Sequence, residues 1–181
     1  YVMKVDAHCA FDQGFDKKML QAFAQTGDDV TMVPVMRNLH AFDCKCYHCG
    51  WKKYQGPTPT KCEQCGKGDK IRRKMGWYGI PNPQSTSFSF DAEPHFQYFE
   101  AWKHKEPYTT DKREKGLTET MSLQGSCFMC TREQYWDLEM CDESLGNWGN
   151  QGIELACATW LTGGRVLVNH NTWYAHMFRT Q

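Results

Sequence analysis

Val2-Met3-Lys4-Val5-Asp6-Ala7-His8-Cys9 is the stretch on which the reading of this chain turns. Residues 1–5 (Tyr-Val-Met-Lys-Val) are β-like, and they run straight into an Asp and a His two positions apart. In a strand, residues i and i+2 point to the same face, so Asp6 and His8 can reach one object beyond the strand end. A hard carboxylate with a borderline imidazole suits Mn²⁺ or a similar divalent ion better than Ca²⁺. Ligands of open α/β sheets sit beyond the carboxyl ends of strands. An Asp and a His in such a place also commonly serve as turn residues, so the pair needs support from elsewhere in the chain.

Outward from that strand, Phe15, Met19, Ala22 and Phe23 recur at helical spacing, with Asp16 as a candidate N-cap and Gly27 as a stop. Thr31 to Met36 is a short strand that Pro34 is expected to push to a sheet edge. Residues 80–95 read as loop with an alternating strand at Phe88–Phe90, and residues 106–122, rich in charge and Thr, as a solvated or mobile loop. Residues 125–129 form a buried-strand signal, and Thr131 with Gln134 opens a helix running through Trp136 and Met140. The clearest helix covers residues 151–162. Ile153, Ala156, Cys157 and Trp160 form one face, Leu155 and Leu161 suggest burial on a second side, and Gly163-Gly164 ends it. A strand follows at Arg165–Asn169, and then Trp173-Tyr174-Ala175-His176.

At 181 residues, 40% hydrophobic and with seven Trp, the chain can bury one sizeable core. Lys+Arg and Asp+Glu both number 21, so the formal net charge is zero, and nucleic acid is not expected as partner of the chain as a whole. No apolar run approaches the ~20 residues of a membrane-spanning helix. The strand at residue 1 has no element before it, and the chain therefore reads as a fragment.

Five of the ten Cys crowd between Cys44 and Cys65. Cys46-x-x-Cys49 and Cys62-x-x-Cys65 are each followed by Gly (Gly50, Gly66), and four thiolates so spaced close a tetrahedron around structural Zn²⁺. Such a closed site leaves no open position for catalysis. Cys44 and His48 are bystanders in this reading. The other thiols sit mostly in apolar stretches as small hydrophobes, which favours a reducing compartment and a cytoplasmic location over a disulfide framework. Lys67, Lys70, Arg72, Arg73 and Lys74 with Trp77 and Tyr78 form a basic-aromatic neighbour to the ribbon. It reads either as a solvated rim or as a patch for an acidic acceptor or nucleic acid.

Several segments, in order, resemble the polypeptide N-acetylgalactosaminyltransferase family and related family 2 enzymes. These are residues 2–9 with the helix after them, Gly125-Ser126-Cys127-Phe128, Trp148-Gly149-Asn150-Gln151-Gly152-Ile153-Glu154, Trp160 with Gly163-Gly164, and Tyr174-Ala175-His176-Met177-Phe178-Arg179. The likeness covers roughly residues 1–36 and 120–179. It implies an α/β fold that is part of a GT-A nucleotide-diphospho-sugar transferase: a mixed sheet with flanking helices over residues 1–43 and 80–181, carrying a zinc-ribbon insertion at 44–79.

By position, the resemblance implies that Asp6, His8 and His176 bind Mn²⁺ or Mg²⁺, which grips the nucleotide diphosphate, and that Gly125, Trp148 and Gly149 line the substrate site. Family 2 enzymes commonly carry Glu-Asp where this chain has Gln151-Gly152, and an amide cannot act as a base. Glu154, on the following helix, is the nearest carboxylate and is expected, with Gln151, to serve catalysis or orient sugar and acceptor; a helix-start Glu favoured by the dipole is the alternative. The expected function is metal-dependent sugar transfer from a nucleotide-sugar donor to an unknown acceptor. Roughly 80–100 further N-terminal residues, the size of an α/β half-domain, would supply the nucleotide pocket. The competing readings are a zinc-ribbon module that contacts nucleic acid or protein, and an inactive relative of the transferases.

Overall fold

The computed structural model describes residues 1–54, 58–145 and 149–178. Two long strands form its spine: β3 (Val30–Cys46) and β10 (Arg165–His176), which pair in parallel from Arg165↔Val30 to His176↔Asn38. Pro34 is therefore central and not at an edge. It stands opposite Asn169, where the β3–β10 register shifts, so its missing N–H falls where the ladder is already broken.

β1 (Val2–Val5) pairs antiparallel with β9 (Cys127–Cys130), and β9 touches β3 antiparallel at Met129↔Met32. Consequently β1, β3 and β10 all run the same way and deliver their carboxyl ends to one end of a mixed sheet. Right after β1, β2 (Cys9–Phe11) turns back and pairs antiparallel with the last residues of β10, His176 opposite Cys9.

The sheet is covered on both faces, and strand alternation decides which residue faces which layer. α1 (Phe15–Thr26) lays Met19, Ala22 and Phe23 against Val30, Met32 and Leu167. α4 (Gln151–Leu161) lays Leu155 and Ala156 against Val33, Val166 and Val168 on the other face. Leu155 is fully buried as its pattern suggested, whereas Leu161 is 86% exposed at the helix end, so the second buried side of α4 is narrower than the sequence implied. α1 is preceded by Gly14 at φ 68°, so the N-cap is this left-handed glycine and Asp16 lies in the first turn.

Residues 106–122, expected as a loop, contain α2 (Tyr108–Glu114) and β8 (Leu117–Glu119). β8 pairs with β10 and buries Leu117 and Thr118, while Tyr108 alone anchors the polar α2. Three-residue strands and a helix with one buried side chain leave too little periodicity to be read. α3 (Arg132–Asp137) begins as expected, with Thr131 accepting a hydrogen bond from the Gln134 N–H at 3.1 Å, but it ends before Met140. β6 (Phe88–Phe90) pairs with β7 (Phe96–Tyr98) as a separate small ribbon.

Beyond Asn38, β3 continues off the sheet for eight residues, and β5 (Ile71–Pro81) returns alongside it from Ile71↔Cys46 to Pro81↔Arg37. With β4 (Lys52–Tyr54) on its other edge, this makes an arm roughly 25 Å long at about 3.3 Å per residue. The arm leaves from the end of the sheet where the carboxyl ends gather.

Candidate metal centre

The β2–β10 pairing places His8 against the tail of β10: the Met177 N–H donates to the His8 carbonyl at 3.1 Å, and the His8 and His176 rings lie 4.5 Å apart between centroids. Asp6 is fixed by its own N–H donating to Ser126 O at 2.9 Å. The donor atoms of Asp6, His8 and His176 all come within 4.8 Å of one another, so the structure brings together residues 170 positions apart. Beneath them lies a packed floor of Met36, Cys127 and Tyr174, with Val5, Cys9, Phe11 and Phe178 around it. The Tyr174 hydroxyl is bonded to Ser126 at 2.7 Å.

The set fits a divalent cation on two counts. His176 Nε2 and Asp6 Oδ2 are 3.2 Å apart, close to the ~3.0 Å edge that two ~2.1 Å bonds at right angles make. His176 is also kept in the neutral form that ligates: burial, with His8 beside it, lowers its pKa against the pull of Asp6. Its buried Nδ1 has no hydrogen-bond partner among the described residues, which leaves the ring's orientation to be set by what the other nitrogen faces. Burial works to raise the Asp6 carboxyl, but the Lys4 ammonium, with His176 adding, holds it below the usual carboxylate range. Burial and the Asp6 charge push the Cys9 thiol up to about 11.

Lys4 is the site residue that the sequence reading passed over. Its ammonium donates to Asp6 Oδ1 and to the Gly125 carbonyl, both at 2.6 Å. Alternation along β1 puts Lys4 on the side of Asp6, so the signal was present in the same stretch.

Gly125 joins this corner to α4. A Cβ on Gly125 would meet Gln151 Oε1 at 3.1 Å and Gln151 Cβ at 3.2 Å, so the start of α4 abuts the segment that Lys4 holds. Gly152 is closer still, since a Cβ there would lie 2.0 Å from the Leu123 carbonyl oxygen. A larger residue at 152 has no room unless residues 123–125 move. Glu154 Oε1 accepts the N–H groups of Cys141 and Asp142 at 2.8 and 3.0 Å, and Gln151 Nε2 donates to Cys141 Sγ at 3.1 Å. Together they hold a turn in which Glu139 (φ 46°) and Cys141 (φ 68°) adopt left-handed backbone that costs non-glycine residues energy. Gly149 precedes α4 at φ 113°, and Trp148 lies outside the described residues.

At the arm's tip, Cys46, Cys49, Cys62 and Cys65 converge, their sulfurs within 4.8 Å of one another. Cys46–Cys65 and Cys49–Cys62 separations are 3.8 and 3.7 Å. A tetrahedron of ~2.3 Å Zn–S bonds has edges of about 3.8 Å, so the four thiols fit Zn²⁺ closely. Each pair sits on a turn closed by its glycine: Gly50 N–H to Cys46 O at 2.9 Å, and Gly66 N–H to Cys62 O at 2.8 Å. Both glycines have positive φ, 76° and 69°. Cys44 turns away to Thr58, and His48 bonds Asp69 at 2.8 Å, so both stay outside the cluster.

The mixed sheet with helices on both faces, holding Asp6, His8 and His176 beyond its carboxyl ends, has a GT-A-like fold. The chain is 23% identical over 95 residues to polypeptide N-acetylgalactosaminyltransferase 3 of Drosophila melanogaster, a match covering 51% of this chain and 14% of that protein. It superposes with a TM-score of 0.67 and 16% identity on the crystal structure of GalNAc-T7 with UDP, GalNAc and Mn²⁺, over 99% of this chain and 28% of that one. No protein-family model matches. The chain thus spans a minor part of the length of each of these proteins, and its fold is that of one portion of an N-acetylgalactosaminyltransferase-like GT-A structure.

Proposed function

We propose that this chain forms the metal-bearing part of a glycosyltransferase that moves a sugar from a nucleotide-sugar donor to an acceptor. The observation that carries this reading is the convergence of Asp6, His8 and His176 at the carboxyl ends of the sheet. It is supported by the likeness to a structure solved with UDP, GalNAc and Mn²⁺.

A divalent cation held by these three would neutralise the diphosphate as it leaves. Asp6 supplies the fixed negative charge of the site and His176 a neutral nitrogen, while the more exposed His8 closes the set from the solvent side. The Lys4 ammonium ties Asp6 to the Gly125 carbonyl and adds a positive charge to the site. Gln151, packed on Gly125, offers an amide to a sugar or acceptor hydroxyl. Glu154 acts by holding the 139–142 turn against α4 and so shapes the acceptor side.

An inactive relative is the second reading, favoured by the absence of a side chain at Gly152 and by the engagement of Glu154 with backbone N–H groups. A screen of nucleotide sugars for hydrolysis, with and without Mn²⁺, on the full-length protein as wild type and His8→Ala decides between them. Metal-dependent turnover lost in His8→Ala supports transfer. Metal-independent turnover, or turnover unaffected by His8→Ala, contradicts the site, and no turnover with any donor favours the inactive relative.

A further inference from the structure

The zero net charge of the chain conceals a separation. Residues 44–80 hold nine Lys and Arg against two acidic residues, a net of +7, which leaves twelve against nineteen, a net of −7, on the rest. The two acids of the arm are engaged locally: Glu63 with Lys53 at 2.6 Å, Asp69 with His48 at 2.8 Å.

Strand register concentrates the remaining charge. Lys45 of β3 stands directly opposite Lys52 of β4 on one side and Arg72 of β5 on the other. Directly opposed residues share a face, so the three cations form a row across three strands, about 10 Å long at ~4.8 Å per strand. Cys44 and Cys46 are buried on the opposite face, so alternation turns Lys45 outward, and Lys45, Lys52 and Arg72 are all exposed. No carboxylate among the described residues pairs with any of the three. Asp43, two residues before Lys45, is taken up by the Tyr78 hydroxyl and by His40. Like charges placed directly opposite destabilise a sheet, and the arm keeps three in line.

Flat rings sit beside the row. Lys45 Nζ and Arg72 Cζ lie 5.1 and 6.0 Å from the Tyr47 ring centroid. Tyr47 is 59% exposed and Trp77, farther along β5, is 62% exposed. An acidic polypeptide would use the cations and leave the rings idle. An anionic glycan meets such rings only through its C–H faces, and competition by heparin tells it apart. A single nucleic-acid strand offers both a phosphate at each nucleotide and a base to stack.

We propose that the arm of β3, β4 and β5 binds a single-stranded nucleic acid, with its phosphates over Lys52, Lys45 and Arg72 and its bases against Tyr47 and Trp77. This holds whether or not the sheet end transfers sugar, because it uses none of the Asp6, His8 or His176 chemistry.

The test is fluorescence anisotropy with labelled oligo(dT) of about 16 nucleotides, on zinc-loaded protein without donor or Mn²⁺. Three neutralised phosphates predict a slope of about −2 for log K against log salt. Lys45→Glu with Arg72→Glu should flatten that slope and weaken binding at low salt by about 100-fold or more, with zinc content unchanged as the sign of an intact arm. Tyr47→Ala should weaken binding about tenfold and leave the slope as it was. Failure to bind at low salt overturns the proposal. So does duplex DNA binding better than the single strand, or polyglutamate or heparin competing as well as unlabelled oligonucleotide at equal charge.

Discussion

His176 Nε2 lies 3.2 Å from Asp6 Oδ2, the last residue of one strand against the first residue after another. Two turns of chain make that contact: the reversal at Asp6–Cys9 that starts β2, and the parallel pairing that brings β10 alongside β3. Asp6 Oδ2 can only accept, so in the Nδ1–H tautomer of neutral His176 two lone pairs face each other, and a cation between them satisfies both. The Nε2–H tautomer donates to Asp6 directly.

Lys4 competes with that cation for Asp6. Replacing it with Met removes a positive charge 2.6 Å from Oδ1 and keeps the length of the side chain. A partly exposed ion pair of this kind is worth about 1 kcal/mol, so Lys4→Met should bind Mn²⁺ about fivefold more tightly by calorimetry. If Lys4 instead grips the diphosphate, the same variant raises KM for the donor. An unchanged Mn²⁺ affinity would show that Lys4 does not act on Asp6.

Gly152 is required by close packing. A methyl group at 152 must displace the Leu123 carbonyl, and overpacking of this kind costs about 1–3 kcal/mol or more. Gly152→Ala should lower the thermal midpoint by several degrees, whereas Leu161→Ala, at an 86% exposed position, should leave it nearly unchanged. Equal melting of the two variants would refute the packing account.

What the sequence disclosed, and what it hid, divides along physical lines. The triad was legible because two ligands lie two residues apart just past β1, and the resemblance placed the third. A turn at residues 6–8, and not strand alternation, brings His8 to Asp6. The four-cysteine cluster was legible because its thiols come from two tight local turns. Pro34 misled because its tolerance depends on a register shift opposite Asn169, a feature of the partner strand. Leu117 and Thr118 read as loop because a three-residue strand has no period to detect, and its burial comes from pairing with β10 and, for Leu117, from packing with α1 and β3. Glu154 could be placed on its helix from sequence, but its partners Cys141 N–H and Asp142 N–H belong to a left-handed turn with no glycine to announce it.

His170 should make stability depend on pH. Burial, with Lys112 and Lys103 nearby, lowers its pKa from 6.5 to about 4, and its Nε2 bonds Thr118 Oγ1 at 2.8 Å. The unfolded chain binds this proton more readily than the folded one, so its contribution is complete above about pH 6.5 and is lost as pH falls toward 4. The loss is on the order of 3 kcal/mol. Denaturant titrations at pH 7 and pH 4.5 should show a larger drop for wild type than for His170→Gln, and equal drops would rule His170 out as the source.

Chelation should act on the arm and spare the sheet. Zinc binding to four thiolates is coupled to the folding of the segment that carries them. Removing the ion, or Cys49→Ser, should expose residues 44–54 and 58–79 to hydrogen exchange. Val33, Val166 and Val168, which pack on α4, should keep their protection. Loss of protection throughout would mean that the cluster supports the whole sheet.

The most direct measurement is isothermal titration of Mn²⁺ into zinc-loaded wild type, Asp6→Asn and His176→Ala. One equivalent should bind wild type, with affinity falling at least about tenfold in each variant. Wild-type affinity retained in His176→Ala would contradict a shared cation site, and with it the sugar-transfer reading.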